Sequence, residues 1–340
     1  MNRPAPVLRR LVLLAALPLL ALSMGAPRAQ TAAQTPAQPA VVYDMGGKFD
    51  KSFNEAAHRG AERWKAESGR PYLEFEISNE TQREQAQRRM AERGANPIVG
   101  VGFSQRSSID RISQQFPKTT FVIIDSVVDR PNVASIVFKE HEGSFLVGVM
   151  AAMASKTGKV GFVGGMDIPL IRRFQCGFEQ GAKFANPQVE VSANMTGTTP
   201  AAWNDPTRGA ELAKAQFARG VDVVFAAAGG TGVGVYQAAK DNQRLAIGVD
   251  SNQNHLHPGT MLTSMVKRVD QAVYNSFKGA RPGTTTVLGL KEGGVDVALD
   301  EHNARLVTPA MKARIDAVRA DIVSGKIRVA DYMADNACKY

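Results

Sequence analysis

The chain has 340 residues, of which 44% are hydrophobic, 21% charged and 7% aromatic. This composition fits a globular protein of one large or two ordinary domains, and it excludes a mostly disordered chain, a collagen and a disulfide-dense miniprotein. Lys and Arg number 41 against 32 Asp and Glu, which gives a net charge of +9. Because this excess is scattered, without basic runs that interleave with aromatics, no nucleic-acid partner is predicted.

The first part of the chain has the pattern of a secretory signal peptide. Its basic start carries Arg3, Arg9 and Arg10. An apolar run over residues 11–22 follows and then gives way to small residues. The run is shorter than the roughly 20 apolar residues that span a bilayer. Residues 1–30 are therefore expected to be a signal peptide with an open cleavage position, an uncleaved anchor being the alternative, and residues 31–40 a flexible N-terminus.

From residue 40 onward, short apolar runs alternate with longer segments of helical period. The predicted strands are Ala40–Asp44, Tyr72–Ile77, Pro97–Val101, Thr120–Asp125, Val133–Phe138, Lys159–Gly164, Val189–Met195, Val221–Ala227, Leu245–Asp250, Met261–Val266 and Thr286–Leu290. The predicted helices are Ser52–Ser68, Gln82–Glu92, Ser107–Phe116, Glu142–Ser155, Leu170–Ala185, Pro206–Arg219, Val233–Asn242, Asp270–Lys278 and Pro309–Ser324. This alternation predicts an α/β protein whose parallel sheets are covered by helices on both faces.

The predicted elements fall into two consecutive series, divided near residues 156–159. This division indicates two doubly wound lobes. A (β/α)₈ barrel is the alternative fold, but the predicted strands exceed the eight that such a barrel holds. The helix at 142–155 is hydrophobic nearly all round, so we expect it to be buried in a lobe core or at the lobe junction.

Cys176 and Cys338 are the two cysteines of the chain. In an oxidising compartment, a disulfide between them would tie the C-terminal tail back to the body of the protein. One buried thiol and one tail thiol fit the sequence equally well. The sequence leaves both arrangements open.

The carboxyl ends of the predicted strands carry the residues that indicate function, because open α/β sheets bind ligands there. Three strands end in the carboxylates Asp44, Asp125 and Asp250, and two end in the glycine pairs 164–165 and 229–230. A carboxylate can accept two hydrogen bonds from a vicinal diol. The pattern therefore indicates a polar organic ligand that carries hydroxyl groups.

The segment after the first strand reads GGKFDKSFNEAAHRG. Its glycines allow a sharp turn, and Ser52 with Glu55 three residues later fits a capping box at the start of the first helix. Capping accounts for these residues but not for Asp44, Phe53 and Asn54. We therefore treat the latter three as candidates to contact a ligand.

The sequence resembles the basic membrane protein family, the purine-nucleoside-receptor type of ABC-transporter solute-binding proteins. The resemblance rests on GGKFDKSFNEAAHRG, VGFSQ, FVIID, GKVGFVGGMDIPLIRRFQCGFEQGAK, WNDPTRGAELA, VVFAAAGGTGVGVYQAAK, AIGVDSNQ and LTSMVKRVDQAV, in the order of the family. It implies a type I periplasmic-binding-protein fold of two Rossmann-like lobes joined by a hinge. The N-terminal lobe would comprise residues 41–157 and about 263–295, and the C-terminal lobe residues 158–262 and about 296–340.

The resemblance also implies a function. The chain would be a periplasmic solute-binding protein that delivers a purine nucleoside to an inner-membrane ABC permease. It would act as a monomer, without a cofactor or metal, and would not be an enzyme. Because no cysteine directly follows the apolar run, we do not expect a lipoprotein.

The resemblance assigns a ligand site as well. The expected ligand-binding residues are Asp44, Phe53, Asn54, Phe103, Asp125, Trp203, Gly229, Gly230, Asp250 and Lys267. Trp203 would stack on one face of the base and Phe53, from the other lobe, on the opposite face. Asp250 and Lys267 would pair near the ribose. Asp44, Asp125 and Asn54 would face the base edge, and Phe103 would line the pocket.

Three alternative functions share features with this sequence. The glycines at 229–234, with Asp250 downstream, imitate a dinucleotide fingerprint, but G-x-G-x-x-G requires glycine at 235, which is valine. An exported nucleoside hydrolase would use strand-end aspartates, yet the metal-binding aspartate cluster expected near its N-terminus is not visible in the sequence. A binding protein for another small polar solute, such as a sugar or free nucleobase, is the remaining alternative.

Overall fold

The computed structural model describes residues 1–2, 4–7 and 37–339. The predicted signal peptide lies almost entirely outside the described residues. The strands are β1 (Ala40–Tyr43), β2 (Leu73–Glu76), β3 (Ile98–Gly100), β4 (Phe121–Ile124), β5 (Val133–Phe138), β6 (Lys159–Met166), β7 (Glu190–Gly197), β8 (Val223–Ala227), β9 (Leu245–Asp250), β10 (Met261–Lys267), β11 (Thr285–Leu288) and β12 (Val295–Val297). In the described part of the chain, no helix has the length and apolar character that a membrane crossing requires.

The helices alternate with these strands. They are α1 (Phe53–Ser68), α2 (Gln82–Glu92), α3 (Arg106–Gln115), α4 (Glu140–Ala154), α5 (Pro169–Ala185), α6 (Pro206–Ala218), α7 (Gly232–Asp241), α8 (Val269–Gly279), α9 (Pro309–Val323) and α10 (Tyr332–Asp335). Short 3-10 turns at Phe103–Gln105, Pro200–Trp203, Gly229–Thr231 and Asn254–Leu256 follow strand ends. Sequence patterning missed β12 and α10, since three or four residues are too few to show a period.

The strands form two six-stranded sheets with the same winding. The first has the order β11-β5-β4-β3-β1-β2 and the second the order β12-β10-β9-β8-β6-β7. The pairs are parallel, apart from the antiparallel pair of β10 and β12. In each sheet the second strand of the series lies at one edge, beside the first strand. The later strands are added one after another on the other side of the first strand, which is the doubly wound arrangement. This confirms the predicted fold class and excludes the barrel.

Each sheet is buried on both faces, as near-continuous apolar strands require. In β1, Val41 and Tyr43 face one core cluster, while Ala40 and Val42 face the other. Every residue of β1 is therefore buried. The strand ends are consequently held in fixed positions.

The chain passes between the two sheets at three points. The first lies between Phe138, where β5 ends, and Glu140, where α4 begins and packs against α5 and β10. The second lies between Lys267, at the end of β10, and α8, which packs against α1. The third lies between β11 in the first sheet and β12 in the second.

These crossings differ from the sequence-based lobe boundaries at 157 and about 263. The helix α4 packs against the second sheet because its apolar surface is covered by α5 and β10, so the chain leaves the first sheet before α4. Residue 263 lies inside β10, which pairs with β9 as far as Val266. The chain therefore returns to the first sheet only after Lys267.

The helices α4 and α5 approach each other unusually closely. A Cβ atom at Gly148 would lie 2.1 Å from the carbonyl oxygen of Phe178, and one at Gly181 would lie 1.9 Å from that of Phe145. Both positions therefore require glycine. The expectation that the hydrophobic helix is buried is confirmed, because α4 is buried along most of its length.

The C-terminal tail is attached to α5. Cys176 and Cys338 form a disulfide, which decides between the two arrangements that the sequence left open. The side-chain amide of Gln180 also makes two hydrogen bonds to the backbone of Ala330, of 2.8 and 2.9 Å. Both contacts place the tail along the helix that follows β6.

Candidate functional site

A pocket lies where the carboxyl ends of the two sheets meet. It encloses about 600 Å³ of space, including its open mouth. Nine of the ten sequence-predicted residues line it, namely Asp44, Phe53, Asn54, Phe103, Asp125, Trp203, Gly229, Asp250 and Lys267. Gly230 is not among the lining residues and instead faces the backbone carbonyl of Trp203.

Trp203 occupies the 3-10 turn between β7 and α6. Its indole lies against the backbone of Gly165, where a Cβ atom would be 2.2 Å from Cζ3 of the ring. Gly229, with φ of +56°, adopts the left-handed conformation beside the same ring. Gly165 and Gly229, at two neighbouring strand ends, thus make room for the indole in the pocket wall.

Phe53, the first residue of α1, brings a second aromatic ring from the side of the first sheet. The Nζ atom of Lys267 lies 5.2 Å from the centre of this ring, and also 5.0 Å from that of Phe138 and 5.6 Å from that of Phe174. Cations are attracted to aromatic faces at these distances. The buried ammonium of Lys267 therefore lies on one side of the Phe53 ring.

Lys267 is the central cation of the pocket. Its side chain is 2% exposed, and its Nζ lies 2.6 Å from Oδ2 of Asp125 and 2.9 Å from Oε1 of Glu140. Burial alone would lower the pKa of this ammonium, but Asp125, Glu140 and Asp250 together raise it above its ordinary value. Lys267 is therefore charged.

The expected pairing of Lys267 with Asp250 is wrong. Among the described residues, Lys267 forms ion pairs with Asp125 and Glu140, because these carboxylates converge on it from the first strand series and from α4. Asp250 accepts a hydrogen bond of 2.7 Å from the hydroxyl of Ser52 instead. The hydrogen-bond partner of Asp250 is therefore a neutral hydroxyl, not the predicted ammonium group.

Asp125 and Asp250 occupy equivalent positions in the two sheets. Asp125 directly follows β4, and Asp250 is the last residue of β9, each strand being the fourth of its series. Both residues have a positive φ, of +70° for Asp125 and +63° for Asp250. Burial raises the pKa of Asp125 to about 6, against the opposing effect of Lys267. Burial also raises the pKa of Asp250 to about 7, although the Lys267 ammonium and the Ser52 hydroxyl oppose the rise. Two buried carboxyl groups, each with a pKa raised above its ordinary value, therefore face one pocket.

Asp44 and Asn54 are held in place by internal hydrogen bonds. The carboxylate of Asp44 accepts from Nη2 of Arg83 at 3.2 Å and from the hydroxyl of Ser104. The amide of Asn54 accepts from the backbone N–H of Asp44 at 3.0 Å and donates to Oδ2 of Asp50 at 3.1 Å. One N–H of the Asn54 amide remains for another partner. Asn54 therefore offers a ligand fewer free hydrogen-bonding groups than the sequence alone suggests.

The predicted capping box at α1 is wrong. The carboxylate of Asp50 accepts from the backbone N–H groups of Ser52, Asn54 and Glu55, at 2.8, 3.0 and 3.1 Å. It therefore caps the helix from two residues further upstream than predicted. The hydroxyl of Ser52 is free for Asp250 because Asp50 takes its capping role.

One glycine of the pattern that imitates a dinucleotide fingerprint is explained by packing. A Cβ atom at Gly234 would lie 1.8 Å from the carbonyl oxygen of Pro206, and one at Gly209, on the facing helix, would lie 2.5 Å from that of Thr231. Gly209 and Gly234 therefore let α6 and α7 approach each other. This packing role accounts for Gly234 without a phosphate.

Several lining residues were not found from the sequence. They are Met45, Asp50, Leu170, Ile171, Phe174, Ala227 and Val249. Three of them lie on the first turns of α5, which follows the glycine pair at the end of β6. That glycine pair was the available signal, since residues after a strand end share its edge of the sheet.

Two doubly wound sheets with a shared pocket at their strand ends define a class of two-lobed binding proteins of the type I periplasmic-binding fold. The family described as "ABC transporter substrate-binding protein PnrA-like", or Bmp, matches residues 37–332. The chain belongs to this family and is an ABC transporter substrate-binding protein. The family predicted from the sequence is confirmed.

Individual relatives agree with this assignment. The "ABC transporter nucleoside-binding protein BmpA" of Lactococcus lactis is 33% identical over 87% of this chain and 90% of the relative. "Basic membrane protein D" of Borreliella burgdorferi is 34% identical over 76% of this chain and 78% of the relative. The first of these descriptions names a binding protein of an ABC transporter.

Solved structures give the same fold. An ABC transporter solute-binding protein from Aeropyrum pernix K1 has a TM-score of 0.78 at 29% identity, covering 86% of this chain and 93% of that one. One from Conexibacter woesei has a TM-score of 0.71 at 24% identity, covering 87% and 99%, and shows the fold alone. Substrate-binding proteins of ABC transporters act outside the cytoplasm.

Proposed function

We propose that the protein binds a purine nucleoside in this pocket and delivers it to an ABC permease. The observation that carries the proposal is the placement of Trp203 and Phe53 on one pocket, each from a different sheet. A flat base between the two rings would be buried on both faces. Stacking on an aromatic side chain contributes about 1–3 kcal/mol per base by analogy with nucleic-acid binding. The L. lactis relative is described as nucleoside-binding, which supports this choice.

The polar groups of the pocket suit a ribose. Asp250 has a buried carboxylate that, among residues 37–339, accepts a side-chain hydrogen bond from the hydroxyl of Ser52 alone. Its remaining lone pairs are available to the hydroxyls of a sugar. The ammonium of Lys267, already held by Asp125 and Glu140, would offer its third N–H to an acceptor on the ligand. The sugar would thus be held by residues of the second sheet, and the base by one aromatic residue from each sheet.

Ligand binding would shift an equilibrium between open and closed arrangements of two lobes joined at the crossings. In this structure, the hydroxyl of Ser251 donates to the backbone carbonyl of Ser52 at 2.7 Å, and the amide of Gln253 donates to that of Lys51 at 2.9 Å, so we assign these bonds to the closed arrangement. Both bonds join the turn before α1 to the end of β9. A ligand that touches both sides stabilises this arrangement, because it binds the open one less well.

The cellular setting belongs to the same proposal. We infer export to the periplasm through a signal peptide at residues 1–30, with docking to an inner-membrane permease as a monomer. One relative, from Pyrococcus furiosus, is described as a lipoprotein, so the attachment of this chain needs its own test. Mass spectrometry of the exported protein decides it, because a lipidated product would be heavier and would contradict the proposal.

The test is a thermal-shift and calorimetric screen of the protein without residues 1–36 against purine nucleosides, free bases, ribose and dinucleotides. Binding of nucleosides above the other compounds supports the proposal, and a ligand at 100 times its Kd raises the unfolding free energy by about 2.7 kcal/mol. Chromatography of the same mixture checks for released base. Release of base would identify a hydrolase, and a response to ribose alone would identify a sugar-binding protein.

Substitution of Asp250 sharpens the test. Asp250→Ala should weaken nucleoside binding far more than the binding of the matching free base, because only the nucleoside has a diol. Asp167→Ala is the matched control, since Asp167 pairs with Arg172 at the surface and does not line the pocket. Equal losses for nucleoside and base would refute the assignment of Asp250 to the ribose.

A further inference from the structure

A series of ion pairs connects the C-terminal tail to the ligand pocket. The carboxylate of Asp331 accepts two hydrogen bonds of 2.7 Å from Nε and Nη2 of Arg173 on α5. Nη1 of Arg173 donates to Oε2 of Glu140 at 2.9 Å. The other oxygen of Glu140 lies 2.9 Å from Nζ of Lys267, which also holds Asp125. Four contacts therefore link the tail to a residue that lines the pocket.

The inner part of this series is buried. The side chains of Glu140 and Lys267 are 1% and 2% exposed, and that of Arg173 is 13% exposed. Burial alone would raise the pKa of Glu140, but Lys267 and Arg173 together lower it below its ordinary value. A buried carboxylate that depends on two cations responds strongly when either one moves. Glu140 therefore contacts Arg173 and Lys267 at the same time, and loss of either cation would leave it under-compensated.

Arg173 also touches a crossing between the sheets. Its Nη1 donates to the backbone carbonyl of Phe138 at 2.8 Å, where β5 ends. The same guanidinium thus binds the tail, the crossing and Glu140. Its neighbour Arg172 makes a similar two-bond pair with Asp167, at 2.7 and 2.8 Å, but that pair lies at the surface.

We propose that the tail at residues 330–338 positions the pocket: Asp331, held against α5 by the Cys176–Cys338 disulfide, fixes Arg173, and Arg173 fixes Glu140 and Lys267. Asp331, Arg173 and Glu140 are positioning residues, because Lys267 is the member of the series that faces the ligand. The proposal goes beyond the nucleoside assignment and depends on it only where ligand affinity is the readout.

The first experiment measures nucleoside affinity by calorimetry in a double-mutant cycle. Asp331→Asn removes the charge that holds Arg173 and should weaken binding about five- to tenfold, the size of a typical coupling between sites. In a Glu140→Gln background the same substitution should change affinity less than twofold, because the link to Lys267 is already cut. Asp167→Asn is the matched control and should leave affinity unchanged. Additive effects of Asp331→Asn and Glu140→Gln would overturn the proposal.

The second experiment needs no ligand and so separates this proposal from the nucleoside assignment. Amide hydrogen exchange is followed in the ligand-free protein, with Cys338→Ser as a second tail variant. Exchange should rise over residues 136–142 and 265–269 in Asp331→Asn and Cys338→Ser, and should stay unchanged in Asp167→Asn. A rise confined to residues 326–339 would show that the tail is loosened without effect on the pocket, and would overturn the proposal even if nucleosides bind.

Discussion

The hydroxyl of Ser52 donates a hydrogen bond of 2.7 Å to the carboxylate of Asp250, although 198 residues separate them in the chain. Ser52 precedes α1 on the first sheet and Asp250 ends β9 in the second. Both side chains are buried. This bond therefore joins the two sides of the pocket directly.

Ser52→Ala should weaken ligand binding about five- to tenfold, because a buried hydrogen bond of roughly 1 kcal/mol between the two sides of the pocket, which we expect to break in the proposed open arrangement, is lost. Calorimetry with the ligand found in the screen measures the change. Ser68→Ala, at the exposed end of α1, is the control and should have no effect. Unchanged affinity in Ser52→Ala would mean that the bond does not contribute to closure.

Asp250→Asn should stabilise the ligand-free protein in a pH-dependent way. The pKa of Asp250 is raised from 3.8 to about 7, so the unfolded chain gives up this proton first as the pH rises. Stability is therefore lost between about pH 4 and pH 7, and the full cost of the buried charge is present above that window. Asparagine keeps an acceptor for Ser52 and carries no charge.

The measurement is the Tm of both proteins across that range. The variant should melt about 3–6 °C higher than the parent at pH 8 and within about 1 °C of it at pH 4, as expected for a chain of this size. Its ligand affinity should fall at pH 8, since a carboxylate accepts stronger hydrogen bonds than an amide. A Tm difference that does not change with pH would contradict the assignment of this titration to Asp250.

Trp203→Ala should weaken binding of the base about tenfold to a hundredfold, by the loss of stacking worth roughly 1–3 kcal/mol. Trp203→Phe should retain most of the affinity because it keeps an aromatic face. Trp64→Phe is the control, since Trp64 is buried in the core against Phe277 and does not line the pocket. If Trp203→Ala binds as well as the parent protein, the stacking proposal fails.

Gly165→Ala should weaken binding without a change in charge. The new methyl group would lie 2.2 Å from Cζ3 of Trp203, so the indole must move into the pocket. Gly197→Ala, at the end of the neighbouring strand, is the matched control, because its methyl group would meet the nearest side-chain atom at 3.6 Å. Calorimetry and Trp203 fluorescence report the displacement, and equal behaviour of the two variants would argue against it.

The sequence predicts the fold well because both faces of each sheet are buried. Strands such as β1 consist of apolar residues alone, and the glycines and carboxylates at strand ends stand out against them. These features place Asp44, Asp125 and Asp250 at the edges where the structure has them. Their role in binding a ligand stays a prediction.

The partners of these residues are harder to predict, because they depend on contacts between distant segments. Nothing near Lys267 in the sequence indicates that Glu140, the first residue of a helix that follows the other sheet, will hold it. Similarly, Ser52 fits a capping box by its spacing, yet Asp50 outcompetes it once the turn is folded. Local patterns locate such groups, and only the assembled sheets decide which groups meet.

The brevity of two crossings has a consequence for repeated cycles of uptake and release. Lys139 alone separates β5 from α4, and Arg268 alone separates β10 from α8. In the proposed opening and closing, each of these two crossings has a single residue whose backbone torsions can change, whereas the third crossing, between β11 and β12, is longer. Each return to the proposed closed arrangement would then restore the same contact of Ser52 with Asp250, so the geometry of capture would be reproduced from one cycle to the next.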